Sequence, residues 1–309
     1  MALSKILPAS QEQYVGARNL IVNGNFAVWQ RNTDSETTST SWAYRTVDRF
    51  QINRGRYRKT SDTVDGRTVD VVQIDPASGA YHGGRGMFTK IEDYNVYDKP
   101  TVLSVYVKAD AATTAEIGQL YDYGGGSTVQ AGTSVNITTD WQRFEVQYSA
   151  QTFSQVAANY IVNALVDGRT YYVAMAQLET GTQVTPFEHR LFGDELARCK
   201  RYFNQIKGAT GGFSHISSGV MGVYNSGNQG LLRYLFPTEM RAVPTVTFSA
   251  LSTYDLEPFD TAPSAISSGG GTTKAMAFNV TDPSSRTKGF AMMLTMDQTA
   301  GYIKFDSEL

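Results

Sequence analysis

Residues 103–110 read LSVYVKAD, and this short run decides how the rest of the chain is read. Leu103, Val105 and Val107 fall on one side of an extended chain, and Ser104, Tyr106 and Lys108 on the other. Strict apolar/polar alternation over this length is the pattern of a β-strand with one buried face, because successive strand side chains point to opposite sides. Similar runs occupy 47–53, 68–74, 101–108, 117–123, 133–138, 141–148, 159–166 and 171–179. Between them stand Asp65-Gly66, Gly83-Gly84, Gly124 to Gly126, Thr139-Asp140 and Asp167-Gly168, residue types that favour tight turns. NLIVNGNFAVWQ at 19–30 predicts two further short strands around an Asn-Gly turn. Many short strands at this spacing predict an all-β fold, an antiparallel two-sheet sandwich.

The pattern changes at 193–204, GDELARCKRYFN. Leu196, Cys199, Lys200 and Phe203 lie at helical spacing, with Asp194 and Glu195 in the first turn and Arg201 late, as the helix dipole favours. A linking helix over 191–205 is expected, with Cys199 on its core side. Beyond it the sequence is Gly- and Ser-rich, is broken by Pro237, Pro244, Pro258 and Pro263, and carries a loop at 267–273. Strand candidates at 219–224, 230–236, 245–250, 274–279, 289–295 and 300–305 predict a second β-sandwich-like domain over 206–309. The expected division is therefore an N-terminal arm (1–18), a sandwich (19–190), the helix and the second β domain. Pro8 interrupts any helix starting at Ala2, so the arm is read as irregular or as one short helix.

Composition agrees with a folded, strand-rich protein: aromatic residues reach 12%, with 18 Tyr and 15 Phe. A formal net charge of -2 supplies no general attraction to nucleic acid or anionic membrane, so neither is an expected partner. The alternating cations Arg54, Arg56, Arg58 and Lys59 are read as a solvated strand face. A single cysteine rules out an intrachain disulfide and a cysteine-cluster metal site, which suits assembly in a reducing cytoplasm. No secretory-type apolar stretch follows Met1, and no run of apolar residues is long enough to span a bilayer.

At 171–203 the chain reads YYVAMAQLETGTQVTPFEHRLFGDELARCKRYF. The pieces Gln177-Leu178-Glu179, Gly181, Thr185-Pro186-Phe187-Glu188, Arg190, Glu195-Leu196, Cys199 and Arg201-Tyr202 resemble the end of a carbohydrate-binding-module-like jelly roll found in tail-fibre and virion proteins of tailed phages. Upstream, 19–31, 47–50, 103–110 and 138–146 resemble the same family in order; downstream, 236–248 and 302–309 resemble the β region that often follows. The resemblance implies a non-enzymatic virion structural protein: a tail fibre or appendage that contacts host-surface polysaccharide. It further implies a homotrimer, attached to other virion proteins through the N-terminal arm. The alternative it leaves open is a capsid decoration or head-fibre protein bound to the major capsid lattice. The quoted residues themselves read as strand closure, a turn and an exit from the sheet, and name no ligand.

Candidate glycan contacts are Trp42, Tyr44, Tyr121, Asp122 and Tyr123, since aromatic rings flanked by Gly and Asp can be exposed and rigid. The competing reading is packing between sheets or across a subunit interface. Trp29 and Trp141 sit within strand motifs and are assigned to the core. Catalytic constellations are not found: His82, His189 and His215 lie at no metal- or triad-like spacing, and no G-x-S-x-G elbow or phosphate loop occurs. Asp93 with Asp98, and Asp255, Glu257 and Asp260, offer oxygen ligands of the kind calcium takes but are read as solvated loops, so no metal or cofactor is expected. A carbohydrate-active enzyme is a third reading, but the chain lacks the long repeat of β-helical tailspikes.

Overall fold

The structure, a computed structural model, describes residues 18–37, 39–78, 85–153, 155–208, 220–296 and 301–308. The expected N-terminal arm up to residue 17, the Gly83-Gly84 turn, His82 and His215 lie outside these residues. The chain divides into two compact units between Phe192 and Gly193.

The first unit contains β1 (Asp34–Thr37), β2 (Ala43–Tyr44), β3 (Phe50–Ile52), β4 (Gly55–Val64), β5 (Arg67–Pro76), β6 (Met87–Ile91) and β7 (Thr101–Ala109). It continues with β8 (Thr113–Ile117), β9 (Leu120–Asp122), β10 (Ser127–Gln130), β11 (Thr133–Ile137), β12 (Gln142–Tyr148), β13 (Ala157–Val162) and β14 (Tyr171–Thr180). They form two six-stranded antiparallel sheets, β1-β4-β5-β14-β7-β12 and β10-β9-β13-β6-β3-β2, with β8 and β11 as a separate ribbon. The all-β sandwich expected from the sequence is present. Leu103, Val105 and Val107 are fully buried, as the alternation required, and share one core with Ile74 and Val173 of their own sheet and with Phe50, Met87 and Ile161 of the other. Each fully buried side chain of this size contributes roughly 1.5–3 kcal/mol.

Four readings are corrected. Residues 19–30 form no strands; they are a loop that docks onto β14. β14 carries a register shift between Ala174 and Gln177, with Met175 at φ 47°, and the shift frees backbone groups of β14 for other partners. The Ala176 N–H donates to Gly24 O (2.8 Å), and Asn19 Nδ2 donates to Ala176 O (3.0 Å). A Cβ on Gly24 would stand 2.1 Å from Ala176 O, so glycine is needed for this approach. The segment expected as one strand at 117–123 is split at Gly118 (φ 72°) into β8 and β9. β6, absent from the expected strands, and β4, expected only as a face of alternating cations, supply inner elements of the two sheets. The cations of β4 are not simply solvated: Arg56 pairs with Asp34, Arg58 with Asp75 and Lys59 with Asp70.

The second unit begins within α1 (Phe192–Lys200), which is shorter than expected, because Tyr202 N–H closes a turn onto Cys199 O and Phe203 already starts a strand. Cys199 is buried as expected; Glu195 is also buried, whereas Leu196 is half-buried. The strands are β15 (Phe203–Lys207), β16 (Val220–Tyr224), β17 (Gln229–Leu235), β18 (Thr245–Phe248), β19 (Tyr254–Glu257), β20 (Ala265–Gly271), β21 (Ala275–Thr281), β22 (Ala291–Met296) and β23 (Tyr302–Asp306). Sheet β15-β23-β18 and sheet β19-β22-β16-β17-β21-β20 enclose a core containing Ile206, Ile303 and Phe305 from one and Tyr224, Leu232, Phe278 and Leu294 from the other. The expected loop 267–273 instead falls largely in β20, an edge strand with no apolar pattern to betray it. A Cβ on Gly222 would stand 1.9 Å from Leu231 O. Gly222→Ala is therefore expected to destabilise the second unit by on the order of 1–3 kcal/mol, read as a fall in its thermal midpoint by circular dichroism.

Among the described residues no helix is long and apolar enough to cross a membrane.

Candidate functional site

The outward face of sheet β10-β9-β13-β6-β3-β2 is built by alternation. Along β6, Met87, Thr89 and Ile91 are buried, Met87 and Ile91 within the main core, whereas Phe88 and Lys90 take the other side. Along β13, Ala157 and Ile161 belong to the core and Ala158 and Tyr160 turn outward. Register places Tyr44 opposite Gln51, Gln51 opposite Phe88 and Phe88 opposite Tyr160. A second row runs from Lys90 through Ala158 to Tyr121.

Rings converge over these rows. Trp42 lies 4.9 Å from Phe88 and 5.4 Å from Tyr160, centroid to centroid, and Phe88 lies 4.8 Å from Tyr160. Tyr123 lies 6.2 Å from Phe88 and 5.2 Å from Tyr121. Phe88 is thereby fully buried on a sheet face that would otherwise be open, while Tyr123 keeps 39% of its surface and Trp42 and Tyr121 are half-buried. The Trp42–Tyr160 and Tyr121–Tyr123 pairs are edge-to-face, a geometry that adds about 0.5–1.5 kcal/mol beyond area burial, and the tilted contacts to Phe88 join them into one group. Lys90 Nζ sits 4.2 Å from the Tyr123 centroid, a cation held against the rim of the cluster.

The structure thus brings together Trp42, Tyr121 and Tyr123, which are far apart in sequence. Tyr44 shares their face by register, with the Arg31 guanidinium 5.4 Å from its ring. Asp122 is different: its Oδ1 accepts from Gly124 N–H at 2.8 Å and so shapes the turn from β9 to β10. Sequence reasoning missed Phe88, Lys90 and Tyr160, although the alternation in MFTKI at 87–91 carries the signal for the first two. The assignment of Trp29 and Trp141 to the core is also corrected. Trp29 is half-buried against the core margin with its Nε1 donating to Phe26 O (2.6 Å), and Trp141 is half-buried on the outward side of the other sheet.

Burial, and secondarily the neighbouring Tyr121, push the Tyr123 phenol up to about 12; burial likewise raises Tyr160. A raised phenol pKa means that the neutral form is favoured in the fold. This contribution is complete below the unfolded value near 10 and is lost as pH rises through about 12. In an alkaline absorbance titration, Tyr123→Phe is expected to remove one tyrosinate transition near 12 and leave that of Tyr224, which is also pushed up to about 12. His189, beside Phe187 at 5.0 Å, is lowered by burial and by Arg67. Asp93 accepts from Asn95 N–H at the start of a short 3-10 turn, and among the described residues no group of three metal-ligating side chains could hold an ion.

No family model and no curated protein matches this sequence. Among solved structures, the chain is similar to the CBM22-1 xylan-binding domain from Paenibacillus barcinonensis, at 16% identity over 48% of this chain and 91% of that one, TM-score 0.35. It is similar to a C-terminal family 22 carbohydrate binding module of Clostridium thermocellum, at 13% identity over 52% and 97%, TM-score 0.34. It is also similar to the enzymatically active domain of tailspike protein 4 of bacteriophage CBA120, at 15% identity over 53% of this chain and 22% of that one, TM-score 0.34.

Proposed function

We propose that the first unit binds a carbohydrate chain on the aromatic face around Trp42, Tyr121 and Tyr123, and that the protein is a tail-fibre or appendage component of a tailed-phage virion contacting host-surface glycan. The observation that carries the binding reading is the convergence of these three rings, from β9 and from the loop segments beside β2 and β9, onto one outward sheet face. A pyranose ring has an apolar C–H face and a rim of hydroxyls. Fixed tyrosine and tryptophan rings match the former, and their polar edges with Lys90 match the latter. The virion reading is supported by the ordered sequence resemblance centred on 171–203. No catalytic group is assigned.

Affinity electrophoresis through gels containing host envelope polysaccharide tests the binding: the intact protein is expected to be retarded relative to a gel without it, and unchanged mobility would overturn the reading. Immunogold labelling of virions tests the location. Label on the tail supports it, whereas label on capsid hexamers would favour the decoration alternative.

A further inference from the structure

The opposite broad face of the first unit, the outward side of β1-β4-β5-β14-β7-β12, carries a second line of aromatic and polar side chains. Register sets Lys108 opposite Tyr172, Tyr172 opposite Gln73, and Gln73 opposite Arg58. Trp141, just before β12, extends the line: Lys108 Nζ stands 5.1 Å from its ring centroid and 5.2 Å from that of Tyr172. Asp62 Oδ2 accepts from Lys108 Nζ (2.5 Å) and from Trp141 Nε1 (3.2 Å), which fixes the indole in its plane. Both rings pack against Val64, Val71, Ala174 and Met175, a small apolar cluster separate from the main core. Trp141, Lys108, Tyr172 and Asp62 are all half-buried, held in place yet reachable.

This arrangement suits a sugar chain more closely than it suits a plain solvated sheet face. The two rings flank one ammonium, 5.1 and 5.2 Å from Lys108 Nζ, so both lie within reach of a short stretch of one sugar chain. Beside them a carboxylate acceptor and an ammonium donor are adjacent, a pair whose remaining acceptor and donor positions two neighbouring hydroxyls of a pyranose can engage. The charges cancel locally: Lys108 is paired with Asp62, and Arg58 with Asp75. Neither of these two cations is left to recruit a uronate or a sulfate.

We propose that this face is a second carbohydrate-binding site, for a neutral linear polysaccharide that stacks on Trp141 and Tyr172 and sets neighbouring hydroxyls against the outer side of the Asp62–Lys108 pair. It does not depend on the face around Trp42, and the two lie on different sheets.

The test is oxidation of Trp141 by N-bromosuccinimide in the intact protein, read by mass spectrometry of its peptide, with and without galactomannan, mixed-linkage β-glucan, dextran or the acidic control alginate. At least one neutral polysaccharide is expected to slow oxidation about tenfold, and the same protection is expected in Trp42→Ala/Tyr123→Ala, where the first face is removed. Unchanged oxidation with every neutral polymer, protection by alginate alone, or protection lost in that double variant would each overturn the proposal. In the double-variant background, Tyr172→Ala is expected to abolish retardation in the galactomannan, β-glucan or dextran gel that protects Trp141. A Tyr172→Ala protein with the parent's thermal midpoint and the parent's mobility would overturn it as well. Failure of the first face alone leaves Trp141 protection intact, so the two readings fail distinguishably.

Discussion

Asn23→Ala is expected to lower the unfolding free energy of the first unit by about 3–5 kcal/mol, the combined effect of several buried hydrogen bonds lost and their partners left unpaired. Asn23 is fully buried. Its Oδ1 accepts from Val28 N–H (2.9 Å), and its Nδ2 donates to Val28 O (2.9 Å) and Asp48 O (3.0 Å). One side chain thereby joins the 19–30 loop to the segment leading into β3. Its backbone is left-handed at φ 61°, a conformation that costs alanine about 1 kcal/mol and asparagine less. Asn23→Gly relieves only that backbone part, so it is expected to recover about 1 kcal/mol of the loss and no more. Urea denaturation followed by fluorescence measures both. A loss of under about 1 kcal/mol in Asn23→Ala, the size of a single ordinary hydrogen bond, would show that the loop is held by other contacts.

The largest functional effect is expected from removing the rings of the first face. Trp42→Ala and Tyr123→Ala should each weaken polysaccharide binding by about tenfold or more, the size of effect that truncating a central aromatic anchor has in recognition surfaces. The two changes differ in their structural cost. Trp42 covers Phe88 and Tyr160, so its removal also bares buried apolar surface and lowers the thermal midpoint. Tyr123 is more than one-third exposed, and its loss should cost less, about the 0.5–1.5 kcal/mol of its edge-to-face pair with Tyr121. Asp122→Ala should act through the turn, by freeing Gly124 N–H, and alter binding less than either ring. Isothermal calorimetry beside thermal melts separates these cases; equal affinity for wild type and Tyr123→Ala would remove the ring cluster from the binding surface.

The residues 177–190, prominent in the sequence for their pattern, turn out to be a clasp. Glu188 accepts from the N–H groups of Arg18 and Asn19, Gln177 Oε1 accepts from Glu188 N–H (2.7 Å), and Arg190 donates to Ile21 O and Asn19 O. Asn19 Oδ1 in turn accepts from Leu178 N–H (3.1 Å). These bonds fasten the beginning of the first unit to its last strand. A sandwich entered and left on the same strand needs such a fastening, because the loop offers no ladder of its own.

Local chemistry alone determined the strand character of 103–110, 171–180 and most of the second unit, together with the buried Cys199, since alternation and helical spacing are written in neighbouring residues. It also picked out Trp42, Tyr121 and Tyr123 as rings of interest. Only the tertiary structure decided which of them meet: Phe88 and Tyr160, inside strands, complete the cluster because the order β9-β13-β6-β3-β2 sets distant segments side by side. In the same way the line from Trp141 to Arg58 exists only through the register of β7, β14, β5 and β4. Strand pairing over long sequence separations is fixed by the shared core and not by any local signal, and for that reason both faces are invisible along the chain and plain across the sheets.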